Sequence, residues 1–217
     1  MTVTIINPNA TVSMTAAMLD AARRAVPGGG FIGVTSHQGP PSIQGVEDGE
    51  RATAPLLELV RAASDNGAGA IIIGCFDDTA LAAARSAARC PVIGIGQAGY
   101  HAAAMAGARF SVVTTLAVSI PILEGNITTY GLRGACARVR ASGVPVLALE
   151  NDPDAAAERV LDEMARAEAE DCINALVLGC AGMVDIPRRA RGRIMAPIID
   201  GVAAAATVAS FLSRSKA

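Results

Sequence analysis

The sequence predicts an α/β protein made of two pseudo-symmetric halves, each with a mostly parallel four-stranded sheet flanked by helices. Short apolar runs alternate with longer segments of helical pattern along the 217 residues, which is typical of parallel sheets covered by helices. Residues 70–75 and 175–180 are apolar runs that both end in glycine and cysteine, 105 positions apart. Runs of this kind are typical of buried parallel strands.

The first half reads as four strands, each followed by a helix. The strands are predicted at residues 2–6, 31–35, 70–75 and 91–95, and the helices at 12–26, 49–66, 80–89 and 97–106. The polar loop after the second strand is too long for an ordinary βα connection, which makes it a candidate active-site flap. Ile43 is its one bulky apolar residue. Ile43 is a candidate to close over a ligand, although packing of the loop onto its own half is the favoured alternative.

The second half repeats this order. Its strands are predicted at residues 109–114, 144–149, 175–180 and 197–200. Asp152 and Pro153 form a strong N-cap and first-turn pair for a helix that reaches about residue 170. We therefore place a first lobe at residues 1–97 and a second at 98–200, with the active site between them. A last helix within 201–217 is expected to return to the first lobe.

Composition excludes several classes of function. The net charge of −2 and the absence of tryptophan give no reason to expect nucleic acid or an anionic membrane as a partner. The amino terminus has no signal-peptide pattern and no apolar run is long enough to span a bilayer, so the cytoplasm is expected. The only lysine is Lys216, in the tail, which argues against a pyridoxal cofactor. We expect no metal and no cofactor.

Cys75 and Cys180 are the strongest catalytic candidates. Ligands of open α/β sheets bind at the carboxyl ends of the strands, so the two thiols should face each other across one cleft. Two such thiols can remove a proton from one side of a carbon and return one from the other. A following helix N-terminus should lower each thiol pKa. The remaining cysteines, Cys90, Cys136 and Cys172, are interpreted as packing residues.

Polar residues at other strand ends are weaker candidates. Asn7 ends the first strand, where it can point into the cleft or cap the next helix. Thr114 and Thr115 occupy the corresponding position in the second half and could hold a heterocycle or a carboxylate. Asp77 and Asp78 follow Cys75; a metal site or general base is possible there, but the preference of acids for helix N-termini is the favoured explanation.

Four motifs in order resemble the hydantoin racemase family, which lies within the aspartate/glutamate racemase superfamily and includes allantoin racemases. They are residues 6–9, 74–78, 110–116 and 178–183, and the likeness spans essentially the whole chain. The resemblance implies two flavodoxin-like lobes that each supply one cysteine, a racemase without a cofactor, and a homo-oligomer.

The residues after the two cysteines depart from those of amino-acid racemases, which typically have Asn-Thr and Thr-His there. Phe76-Asp77 and Ala181-Gly182 replace them, so binding of an amino-acid zwitterion is disfavoured and a flat ring is favoured. We therefore expect racemisation of 5-monosubstituted hydantoin-type rings. The alternatives are an allantoin racemase, an aspartate/glutamate-type racemase, a maleate isomerase, an arylmalonate decarboxylase, or a non-catalytic two-lobed small-molecule sensor.

Overall fold

The computed structural model describes residues 2–107 and 109–215, so Lys216 lies outside the described residues. The first half alternates strands and helices without exception. In chain order its elements are β1 (Val3–Asn7), α1 (Val12–Ala25), β2 (Phe31–Thr35), α2 (Val46–Asp65), β3 (Ala70–Ile73), α3 (Leu81–Ala87), β4 (Val92–Gly94) and α4 (Ile95–Met105).

The second half has the same number of strands but more, shorter helices. Its elements are β5 (Phe110–Thr114), α5 (Ile120–Thr129), β6 (Cys136–Ala141), α6 (Ala148–Asn151), α7 (Pro153–Glu170), β7 (Ala175–Leu178), α8 (Ile186–Arg189), β8 (Ile198–Ile199) and α9 (Gly201–Arg214). In the part of the chain that the structure describes, no helix is both long enough and apolar enough to cross a membrane.

Both sheets are parallel and share one strand order. Over the described residues the orders are β2-β1-β3-β4 and β6-β5-β7-β8. The inner strands β1, β3, β5 and β7 are buried along their whole length, because helices cover both faces of each sheet. The predicted α/β class and the pseudo-symmetric pair of four-stranded sheets are confirmed.

The last helix links the two sheets. Helix α9 follows β8 of the second sheet but packs against α4, α1 and β3. Its first residue, Gly201, lies so close to the start of α4 that an added Cβ would be 2.4 Å from the Ile95 carbonyl oxygen. A larger residue would therefore push α9 away from α4.

The strand predicted at residues 144–149 is wrong. The second strand of this half is β6, and residues 144–147 are irregular. Val144 and Val146 are buried, which explains the misleading apolar pattern, but Pro145 between them has no N–H to give to a sheet. Strand β6 was missed because its sequence, CARVRA, carries two arginines.

Helix α5 was also absent from the prediction, whereas α7 was predicted correctly. Helix α5 begins with a proline in its first turn and buries Leu123 and Ile127. Helix α7 begins at the expected N-cap, where the Asp152 carboxylate accepts a hydrogen bond from the Ala155 N–H at 3.3 Å. The capping pattern is local, which is why the sequence was sufficient to locate it.

A buried ion cluster explains the polar sequence of β6. The Arg140 guanidinium donates to both oxygens of Asp171 at 2.6 and 2.7 Å, to Glu163 at 3.0 Å and to Glu170 at 2.7 Å. Asp171 also accepts from the Ser111 hydroxyl at 2.7 Å. The hydrogen bonds from Arg140 hold the pKa of Asp171 below its usual value. The cluster ties β6 and β5 to the end of α7.

We predict that Asp171→Asn lowers the free energy of unfolding by about 3 kcal/mol, because it leaves the buried Arg140 charge without its main partner. Urea denaturation measures this, and Asp162→Asn, which removes an exposed carboxylate 3.8 Å from Arg193, is the matched control. The lowered folded-state pKa gives its full stabilisation above the unfolded value near 3.8 and loses it as the pH falls through the folded value, so the difference from wild type should shrink there. Equal stability of the two variants at neutral pH would contradict the prediction.

Candidate active site

Two glycines bring the two cysteines to equivalent places. Gly74 and Gly179 each donate an N–H to the neighbouring central strand, to the carbonyl oxygens of Ile6 and Val113, both at 2.8 Å. A Cβ on Gly74 would lie 2.6 Å from the Met18 sulfur, and one on Gly179 would lie 2.8–2.9 Å from Thr114 and the Val113 oxygen. Glycine lets the chain pass this closely, and the next residue is then presented to the space beyond the strand.

Cys75 and Cys180 line one small cavity, in which the centre of a water molecule can move through about 30 Å³. Most of the residues singled out in the sequence are brought together there: Ile43, Phe76, Asp77, Thr114, Thr115, Ala181 and Gly182. The cavity is also lined by residues that sequence reasoning missed: Asn9, Met14, Ser119 and Val146.

Asn7 is a candidate substrate-binding residue that the structure does not bring to the cavity. It is fully buried, and its amide donates to Asn9, to the Thr11 carbonyl and to the Thr15 hydroxyl at 2.9–3.1 Å. These bonds hold the turn between β1 and α1, and Asn9 is the amide that lines the cavity. The sequence Asn7-Pro8-Asn9 already indicated an amide at the cleft, since either asparagine could have faced it.

Two other candidates have their polar or aromatic groups committed to the protein. The Thr114 hydroxyl donates to the Gly179 carbonyl at 2.9 Å, which fixes the turn before Cys180. The Phe76 ring packs edge-on against Tyr100 in the core, with centroids 5.1 Å apart. Phe76 therefore borders the cavity without presenting its ring as the flat surface that the sequence suggested.

The loop after β2 borders the cavity, which its residue Ile43 lines. The Thr11 hydroxyl donates to the Pro41 carbonyl at 2.7 Å within the first half, and the Gln44 side-chain oxygen accepts from the Val146 N–H of the second half at 2.8 Å. Ile43 lies between these two attachments and is buried. The loop thus packs on its own half, as favoured, and Ile43 also lines the cavity; its closure over a ligand stays a prediction.

Asp78 holds the loop after Cys75 in place. Its carboxylate accepts hydrogen bonds from the Gly96 and Gln97 N–H groups at 3.0 and 2.7 Å and from the Tyr130 hydroxyl at 2.8 Å. The carboxylate therefore caps the N-terminus of α4 and binds the end of α5. The expected preference of this acid for a helix N-terminus is seen, but at α4 rather than at the following α3.

Burial raises the pKa of both candidate thiols. Desolvation raises that of Cys75 far above its ordinary value, and the Asp77 charge raises it further. Desolvation raises that of Cys180 to about 12. Backbone N–H groups oppose these shifts, from Asp77 toward Cys75 and from Gly182 toward Cys180. The predicted lowering by helix dipoles is wrong, because α3 begins six residues after Cys75 and only a three-residue 3-10 turn follows Cys180.

The remaining cysteines lie away from the cavity. Cys136 is buried at the start of β6, and burial raises its pKa to about 11. Cys90 is half-buried beside β4. Cys172 is exposed, so the packing role expected for it is wrong. The two strand-end thiols are thus the ones that share a site.

Comparison with known proteins identifies the family of this chain. The family model described as Asp/Glu/Hydantoin racemase matches residues 3–209. A hydantoin racemase of Rhizobium meliloti is 42% identical over 209 residues, which are 96% of this chain and 87% of that protein.

Two solved structures are similar over the whole chain. An allantoin racemase from Klebsiella pneumoniae superposes with a TM-score of 0.94 at 38% identity, covering 100% of this chain and 89% of that one. An allantoin racemase from Pseudomonas fluorescens superposes with a TM-score of 0.93 at 34% identity, covering 100% and 92%. The chain therefore belongs to the Asp/Glu/Hydantoin racemase family and is a racemase, an isomerase.

Proposed function

We propose that this racemase inverts C5 of 5-monosubstituted hydantoin-type rings, with Cys75 and Cys180 as its two bases. The observation that carries the proposal is the shared cavity, which both thiols reach from equivalent positions of two sheets. One thiolate removes the C5 proton while the opposite thiol supplies a proton to the other face. The chain's own residues provide all of these groups, so no cofactor enters the reaction.

Both thiols are protonated in the resting enzyme, and nearby groups stabilise the thiolate that forms during the reaction. The Thr79 side chain and the Asp77 backbone lower the pKa of Cys75, and the Gly182 backbone lowers that of Cys180. These groups favour the charged form of the sulfur beside them. The Cys180 charge raises the pKa of Cys75, so we expect only one of the two thiols to be ionised at a time, and the proton taken by one is balanced by the proton given by the other.

Deprotonation at C5 moves negative charge onto the adjacent ring carbonyl oxygen. Hydrogen-bond donors aimed at that oxygen stabilise the enolate. The Thr114 hydroxyl is already used by Gly179, so the Thr115 hydroxyl is the better candidate of the threonine pair. The backbone beside Ala181 and Gly182 has no bulky side chain, and a flat ring can approach it closely.

Ile43 of the flap lines the cavity, and we expect the flap to move when the substrate enters. The Gln44–Val146 bond attaches the flap to the second half, and Gly45 packs against Val118, whose Cγ2 would lie 2.8 Å from a Cβ added at position 45. Closure over the bound ring would then exclude water from the thiols, which strengthens the electrostatic interactions inside.

Two ring substituents are the leading candidates. The relatives include hydantoin racemases and allantoin racemases. Asn9 and Ser119 offer polar contacts to a ureido group, whereas Met14 and Val146 offer apolar contacts to an alkyl group. We propose allantoin as the second candidate substrate on this ground.

We expect one enantiomer of allantoin, or of a 5-alkyl hydantoin, to lose optical rotation when the enzyme is added without any cofactor. Glutamate should keep its rotation, because the polar residues that follow the cysteines of amino-acid racemases are replaced here. Polarimetry measures all three, and the Cys75→Ser/Cys180→Ser double variant corrects for spontaneous ring racemisation. Racemisation of glutamate alone would contradict a hydantoin-type ring as the substrate. Inactivity on all three compounds would favour a non-catalytic small-molecule sensor.

Replacing either Cys75 or Cys180 with serine should lower racemisation by at least 10²- to 10⁴-fold, because a serine hydroxyl is too weakly acidic to replace a thiol. Each single variant should still exchange the C5 proton of one enantiomer with D₂O, and the two variants should prefer opposite enantiomers. Proton NMR of each pure enantiomer measures the exchange.

Cys172→Ser is the matched control, since this thiol is exposed and outside the cavity. It should racemise and exchange both enantiomers like the wild type. The two-base mechanism fails if both active-site variants exchange the same enantiomer, or if either of them racemises at the wild-type rate.

A further inference from the structure

Asp77 lines the cavity with a carboxyl group whose Oδ2 is buried and has no hydrogen-bond partner among the described residues. Ser119 lines the same cavity and lowers the pKa of this carboxyl. Leaving a buried polar atom unpaired is costly, and such atoms in a folded protein call for an explanation. Asp77 and both thiols line the same cavity, so a bound substrate is a candidate partner for this oxygen.

Hydrogen bonds hold the segment that carries this carboxyl. The Asp77 carbonyl accepts from the Asn126 side chain of α5 at 2.8 Å. The next residue, Asp78, is held by three donors. The backbone of this segment is therefore held by both halves of the protein.

The charges around Asp77 favour its neutral form. Its surroundings raise the pKa to about 7, mainly by desolvation and then by the Asp78 charge, and the Ser119 hydroxyl opposes them weakly. Cys75 and Cys180 also line the cavity. The Asp77 charge acts on Tyr100 as well, and Glu150 acts on Cys180 without lining the cavity. Within the described residues no ion pair includes Asp77, and Arg85 acts on Asp78 instead.

A neutral carboxyl and an ionised one would have opposite effects on the reaction. Ionised Asp77 raises the pKa of both thiols, so it opposes formation of the thiolate, and it would also repel the enolate. Protonated Asp77 has an O–H to donate, and the oxygen without a partner is free to carry it. A carboxyl kept neutral by an apolar site so that it can donate to an oxyanion is an established device of enolising enzymes.

We propose that Asp77 acts in its protonated form as a catalytic hydrogen-bond donor to the ring carbonyl oxygen next to C5. This inference rests on the proposed function. When the thiolate removes the C5 proton, the C–H bond breaks, an S–H bond forms, and the electron pair is delocalised onto the carbonyl oxygen. Asp77 shares its proton with that oxygen and keeps it when the opposite thiol protonates C5. The charge thus passes from sulfur to oxygen to sulfur without reaching the carboxyl.

The test compares Asp77→Asn with Asp77→Ala. The asparagine amide still donates a hydrogen bond but cannot ionise, so its kcat should stay within about tenfold of the wild type. Alanine removes the donor, and kcat should fall by about 10²- to 10³-fold with a smaller change in KM, as for other oxyanion donors. Asp20→Asn, the same change on an exposed face of α1, is the matched control.

The pH profile separates a donor from a structural role. Asp77 is protonated below about pH 7 and ionises above it, so wild-type kcat/KM should lose the donor as the pH rises through 7. The ratio of Asp77→Asn to wild-type kcat/KM should therefore increase above pH 7, by up to about tenfold per unit. This ratio decides the question even if the alanine variant does not fold.

Three results would overturn the role of Asp77. The first is an equal loss of kcat in the two Asp77 variants, which would mean that the carboxylate accepts a hydrogen bond. The others are a wild-type kcat in the alanine variant, or a ratio of Asp77→Asn to wild-type kcat/KM that stays constant across pH 7. None of them affects the two-base mechanism. That mechanism fails instead if Cys75→Ser racemises normally, so the two failures are distinguishable.

Discussion

A negative charge is costly in the space between the two sheets, and the rest of the site is arranged around this cost. Cys75, Cys180 and Asp77 each have their pKa raised mainly by desolvation, so all three favour their neutral forms. A two-base racemase needs one thiolate at a time, and a second charge in the same cavity would work against it. A cavity that resists a second charge is suited to passing a single charge from one sulfur to the other.

Asp78 is buried beside Asp77, and desolvation raises its pKa to about 7 as well. Its oxygens accept two backbone N–H bonds at the start of α4 and one from Tyr130. The fit depends on glycine, because a Cβ at position 94 would lie 2.0 Å from an Asp78 oxygen, and one at position 96 would be 2.3 Å from the Phe76 carbonyl. The neighbouring Asp77 has no comparable set of donors, so the two adjacent carboxyls have different tasks.

The sequence was sufficient where the signal is local, and it failed where distant residues decide. The apolar runs before Cys75 and Cys180 predicted the inner strands, and Asp152 predicted the start of α7. Strand β6 could not be found this way, because its Arg140 becomes compatible with burial only when α7 brings acids to it. Of the site, the cysteine pair was predictable from the repeat. Ser119 lies in a three-residue 3-10 turn and Val146 in an irregular segment, and neither has a recognisable sequence pattern. The direction of the thiol pKa was wrong because desolvation depends on the opposing half.

The two halves are equivalent in backbone but not in electrostatics, and racemisation tolerates this. Cys75 lies next to Asp77, whereas Cys180 is followed by Ala181 and Gly182, so the two thiolates differ in stability. The enantiomers of a molecule with one stereocentre have equal free energy in water. The two directions must therefore have equal kcat/KM, however different the thiols are. The asymmetry can only redistribute the enzyme between its two protonation states, with Cys75 or with Cys180 as the thiolate. A carboxyl beside one base can thus serve the enolate oxygen without favouring either enantiomer at equilibrium.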